Sequence, residues 1–218
     1  MNTELQDYFN GLCCTEVITY NFDVDSSDWA AAGITDQASF ESVLGVTTDQ
    51  FLLSGNNIQA NILTTTDNIL DFKGQTVTNV NYITVSGLVE LALTNNQIIT
   101  FNPTLALPTT LQVLVLSGNQ IITFNPSIAL PNSLQVLGLA NNQIVTFNPT
   151  LPLPTSLQEL GLSANQMTTA GYTSSETWAN GMHNAPSGGL IDFQFNTDSA
   201  SGTNLETILT SKGWLVTV

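Results

Sequence analysis

The chain contains no arginine, only two lysines (Lys73 and Lys212) and a single histidine, His183, against 17 acidic residues. Its formal net charge is −15, although only 9% of its residues are charged. Nucleic-acid binding requires clustered cations to neutralise phosphates, so no nucleic-acid partner is expected. An anionic membrane would repel the chain for the same reason. One histidine cannot build a two-histidine metal site, and nothing in the sequence places it beside a nucleophile. No catalytic residue and no cofactor are therefore expected, and the chain is not read as an enzyme.

The two cysteines, Cys13 and Cys14, are adjacent, a spacing that rarely meets disulfide geometry. A framework independent of disulfides follows, and no basic neighbour is present to activate either thiol. No apolar run is long enough to span a bilayer, and there is no basic-then-apolar leader. Neither membrane insertion nor ordinary secretory export is expected. With 42% hydrophobic residues there is ample core material for one elongated domain. The exterior must then be mostly Thr, Asn, Gln and Ser, which suits a surface exposed to variable salt.

What the sequence has in abundance is repetition. Four copies of L-x-x-L-x-L-x-x-N-x-[I/M] follow one another at a 23-residue step: Leu88 to Ile98, Leu111 to Ile121, Leu134 to Ile144 and Leu157 to Met167. Three are followed by F-N-P-x-x-x-L-P, at Phe101 to Pro108, Phe124 to Pro131 and Phe147 to Pro154. Leucines at slots four and six alternate with period two, so a short strand points them inward. The asparagine at slot nine is polar within an apolar frame, tolerable only if its amide bonds turning backbone. Stacked copies would then form an asparagine ladder of Asn56, Asn96, Asn119, Asn142 and Asn165. The prolines favour an extended or 3₁₀ return over a full helix. One copy buries too little to offset the ordering of its own backbone, so stacking is obligatory.

This pattern resembles the leucine-rich-repeat family, slot for slot in four consecutive copies. The resemblance implies an α/β solenoid: a right-handed coil with one parallel strand per repeat, a thin non-helical convex side, and short helices in the C-terminal part. Looser copies extend it. Thr48, Phe51, Leu53, Asn56 and Ile58 fit the slots, as do Asp67, Leu70, Phe72, Gln75 and Val77; Leu190, Phe193 and Phe195 repeat slots one, four and six. The steps become 19, 21, 23, 23, 23 and 33 residues. The expected organisation is an N-terminal cap or attachment segment over residues 1–47, the repeat region over 48–202, and a helix-strand cap over 203–218.

Within the first segment, residues 15–24 alternate like a strand, and a helix follows Thr35-Asp36, carrying Phe40, Val43 and Leu44 up to Gly45. Near the C-terminus, Thr173-Ser-Ser-Glu176 and Thr203-Asn-Leu-Glu206 have the form of capping boxes, each opening a short helix. The second ends at Gly213, and Trp214 to Val218 then alternates as a final strand. The stretch His183 to Gly189, with the ending Leu209 to Trp214, is similar to a closing phrase of phage virion proteins and some bacterial surface proteins.

In leucine-rich-repeat proteins the outward strand positions form the usual contact face. The candidate contacts are Glu90, Val113, Val115, Val136 and Glu159, although this face lacks the Trp, Tyr and Arg that dominate binding hot spots. Asp23, Asp25 and Asp28 resemble the opening of a calcium loop, but its glycine and distal glutamate are missing, and no metal site is expected. Leu5, Tyr8, Phe9 and Leu12 lie at helical spacing and are the candidate anchor to a larger assembly. The resemblances together imply a non-catalytic structural or interaction protein at a virion surface, as spike, decoration or receptor-contacting module. The alternative is an adhesin-like protein, extracellular or at a bacterial cell surface. Expected partners are other virion or surface proteins, a host receptor or a glycan, in a homo-oligomer or larger assembly.

Overall fold

The computed structural model describes residues 18–64, 69–84 and 87–218. The fold is mixed α/β: a seven-stranded parallel sheet, a four-stranded antiparallel sheet and, among the described residues, three helices. The candidate anchor residues Leu5, Tyr8, Phe9 and Leu12, like Cys13 and Cys14, lie outside the described residues.

The antiparallel sheet comes first. Strand β1 (Ile18–Ser26) lies between β3 (Asn57–Thr64) and β5 (Val77–Thr84), and β2 (Thr47–Ser54) adds to the far side of β3. Helix α1 (Gln37–Leu44) sits between β1 and β2 in the chain. Asp36 caps it by accepting from the Ser39 amide, Ser39 reciprocates toward the Asp36 backbone, and Gly45 ends it at φ 66°. Phe40 is its buried anchor, packed 5.2 Å from the Phe51 ring.

This sheet corrects the expected start of the repeats. Residues 48–58 fit the repeat slots, but they belong to the β2–β3 hairpin, which turns through Gly55 and Asn56. Two apolar strands flanking a Gly-Asn pair close locally, and that pairing outcompetes stacking on a distant copy. Asn56 is accordingly exposed, with its amide donating to the Ser27 carbonyl, and it does not join the asparagine ladder.

The parallel sheet begins with β4 (Ile69–Asp71) and continues through β6 (Glu90–Ala92), β7 (Val113–Val115), β8 (Val136–Gly138), β9 (Glu159–Gly161), β10 (Leu190–Asp192) and β11 (Leu215–Thr217). Leu91, Leu114, Leu137 and Leu160 pair in unbroken register, so the sequence step is also the step across the sheet. Between β6 and β9 the chain returns without a helix. After each strand it turns through a left-handed residue: Asn95, Gly118, Asn141, Ala164 and Phe195 all have φ between 51° and 70°. Asparagine and glycine tolerate that conformation; alanine and phenylalanine are strained by it.

Two further expectations shift. Helix α2 (Thr169–Gly181) starts ahead of Thr173, because the Thr168 side chain accepts from the Gly171 amide and caps it earlier. Asp198 supports that first turn by accepting from both the amide and the hydroxyl of Thr169. In β10, Ile191 aligns with Leu160, so Ile191 and Phe193 occupy the inward slots and Phe195 is 83% exposed. The helix between β9 and β10 lengthens the return, and the slots restart two residues before those read from Leu190, Phe193 and Phe195. Helix α3 (Asn204–Ser211), capped by Thr203, buries Leu205 and Leu209 before Trp214 and β11.

One continuous apolar cluster runs from Val24 to Trp214 through both sheets. Its far wall is an aromatic stack: Phe101 to Phe124 at 6.5 Å, Phe124 to Phe147 at 6.1 Å, then Phe147 edge-on to Trp178 at 4.8 Å.

Candidate interaction surfaces

The slot-nine asparagines are buried and fully engaged. Asn142 Oδ1 accepts from the Ile121 amide at 3.0 Å, while its Nδ2 donates to the carbonyls of Leu116 and Leu139, each at 3.0 Å. Asn119 and Asn165 repeat the pattern one repeat earlier and one later. Asn96 makes the first rung, accepting from Val77 and donating to Phe72 and Leu93, and thereby ties β5 to the parallel stack. A last rung was missed in the sequence: Asn196 accepts from Met167 and donates to Leu162 and Phe193. The signal was present, since Asn196 stands five residues after Ile191, but the shifted slots concealed it.

A second ladder holds the returns. Asn102 Oδ1 accepts from both the amide and hydroxyl of Ser127 at 2.8 Å, and Asn125 Oδ1 does the same for Thr150 at 2.8 and 2.9 Å. In a third, Thr110, Ser133 and Ser156 each donate a hydroxyl to the carbonyl of Leu88, Leu111 and Leu134. The F-N-P phrase thus encodes inter-repeat bonds that its conserved spacing alone did not reveal.

Among the described residues, three surfaces stand out for contact. The outward strand face carries Glu90, Val113, Val115 and Val136, all half-buried, and Glu159, which is exposed. It is nearly flat where Gly138 and Gly161 lie close together. An exposed apolar row, which the inward slots do not mark, lies one position beyond each inward isoleucine: Ile99 (55% exposed), Ile122 (52%) and Val145 (42%). The third surface is a cleft of about 420 Å³ between the Asn148–Leu153 return and helix α2, lined on one side by Pro149, Leu151 and Leu153 and on the other by Trp178 and Met182.

The acidic candidates accept hydrogen bonds from neighbouring amides. Asp23 accepts from the amides of Asn57, Asn81 and Gln59, Asp25 shares Asn57 and Asn81, and Asp28 accepts from the Ala31 backbone. Among the described residues no three His, Cys, Asp or Glu side chains are grouped to hold a metal ion. The His183 ring packs edge-on to Trp214 at 5.4 Å, and its carbonyl accepts from the Trp214 indole. No helix among the described residues is long and apolar enough to cross a membrane. The sequence matches no family profile and no curated protein.

Proposed function

We propose that the chain is a non-catalytic structural and interaction protein of the leucine-rich-repeat type, a right-handed solenoid with one parallel strand per repeat and a thin convex side. In this reading the antiparallel sheet and α1 form its N-terminal cap and residues 203–218 its C-terminal cap. The observation that carries it is the asparagine ladder: buried polar groups hold neighbouring repeats in register and none is presented to a substrate. An extended, sparsely charged stack of this kind is a rigid presenting surface. Its place is the exterior of a virion, as spike, decoration or receptor-contacting module, with other virion proteins or a host-surface receptor or glycan as partners and no nucleic acid. The absence of arginine, the amide- and hydroxyl-rich exterior and the C-terminal phrase support that location. Immunogold electron microscopy with antibodies against the chain tests it. Label on intact particles is the expected result; label on the bacterial cell surface alone would favour an adhesin instead, and label on neither would overturn both.

A further inference from the structure

The cleft beside α2 lies where the stack of returns is interrupted. Asn102 and Asn125 each receive an N–H and an O–H from the return of the following repeat. Asn148 holds the same place in the third F-N-P phrase, but the following repeat has a helix there, and among the described residues the Asn148 side chain receives no such pair. Helix α2 replaces only part of the missing return. Trp178 continues the phenylalanine stack by covering Phe147, and the Ser175 hydroxyl accepts from the Phe147 amide. The surface from Asn148 to Leu153 stays open, and the cleft is what remains.

A second observation comes from the opposite wall. Trp178 is 6% exposed and lines the cleft, yet its buried indole Nε1 has no acceptor among the described residues. A buried donor without an acceptor is costly, so this wall of the cleft is an exception in an otherwise well-bonded interior. No charged residue lines the cleft, which disfavours an ionic ligand.

From these features we infer that the cleft binds an extended peptide segment of a partner protein, one carrying a serine or threonine followed by apolar residues, which adds one further return to the stack. Its serine or threonine donates backbone N–H and hydroxyl to Asn148 Oδ1, its apolar side chains enter between Leu151, Leu153 and Met182, and its backbone covers the Trp178 ring. The inference rests on the repeated hydrogen-bond geometry and is independent of a virion location.

The test uses the whole chain, labelled with ¹⁵N, titrated with an acetylated and amidated peptide having the sequence of residues 124–131. Shifts of the Trp178 indole N–H and of the Asn148 side-chain amide are expected. Asn148→Ala in the protein and Ser127→Ala in the peptide should each weaken binding roughly threefold to tenfold, as the loss of a hydrogen bond does. The two together should weaken it little more than Asn148→Ala alone, because the hydroxyl bond lost with Ser127 is one of the two already lost with Asn148. Gly181→Leu should abolish binding without disturbing the fold, since a Cβ at Gly181 meets no atom within 4 Å. Absence of both shifts at millimolar peptide, or undiminished affinity of the Asn148→Ala protein, would overturn the proposal.

Discussion

Replacing Asn142 with leucine probes the ladder most directly. The side chain is 6% exposed and links its own repeat to the preceding one: it accepts from Ile121 and donates to Leu116 in that preceding repeat and to Leu139 in its own. The two carbonyls are doubly served, because Leu116 also accepts from Asn119 and Leu139 also accepts from Asn165. Each therefore keeps one bond when Asn142 is removed, and only the Ile121 N–H loses the partner it has. Orphaning that buried donor costs about 1–3 kcal/mol, and each surrendered carbonyl bond about 0.5–1.5 kcal/mol. The added apolar surface of leucine returns roughly 1.5–3 kcal/mol if it packs without strain. The balance is a loss of about 2 kcal/mol, which for a domain of this size lowers Tm by about 4–8 °C. Calorimetric melts of Asn142→Leu beside Gln120→Leu, an exposed ladder neighbour expected to shift Tm by less than about 2 °C, provide the measurement. A variant melting with wild type would show that the asparagines are not holding the repeats together.

Two further outcomes follow from backbone strain and from burial of a phenol. Ala164 sits at φ 51° without the freedom of glycine, so Ala164→Gly should raise stability by about 0.5–1 kcal/mol in urea melts. Gly118→Ala should do the opposite, because φ is 70° and a Cβ would fall 2.2 Å from Asn95 Oδ1; equal stability of the two variants would refute the left-handed turn at this slot. Burial, with the nearby Asp198 carboxylate adding to it, pushes the Tyr172 hydroxyl up to about 12, and that hydroxyl donates to the Asp198 carbonyl. The folded state holds this proton more tightly than the unfolded chain, so its contribution is intact below pH 10 and is lost as pH rises toward about 12. Melting temperatures across that window should fall less steeply for Tyr172→Phe than for wild type, and identical slopes would contradict the assignment.

Periodicity alone determined much of this protein. Leucine at slots four and six fixes which side of each short strand is buried, and the constant step sets the register, because side-chain alternation punishes any slip. The asparagine at slot nine could be recognised as a bonded interior group, since an unbonded amide there would be too costly. Helix α1 was legible from Asp36 to Gly45, both of whose caps are local signals. The tertiary structure decided the rest, wherever two segments competed for the same position. Residues 48–58 satisfy the repeat slots, yet they pair in a hairpin because their neighbour in sequence is nearer than any repeat. Phe195 looked like an inward residue until α2 lengthened the return and moved Ile191 and Phe193 into those slots. The cleft at Asn148 could not be read at all: it exists because a helix follows a run of extended returns, and only the packing of that helix shows which part of the last return it leaves uncovered.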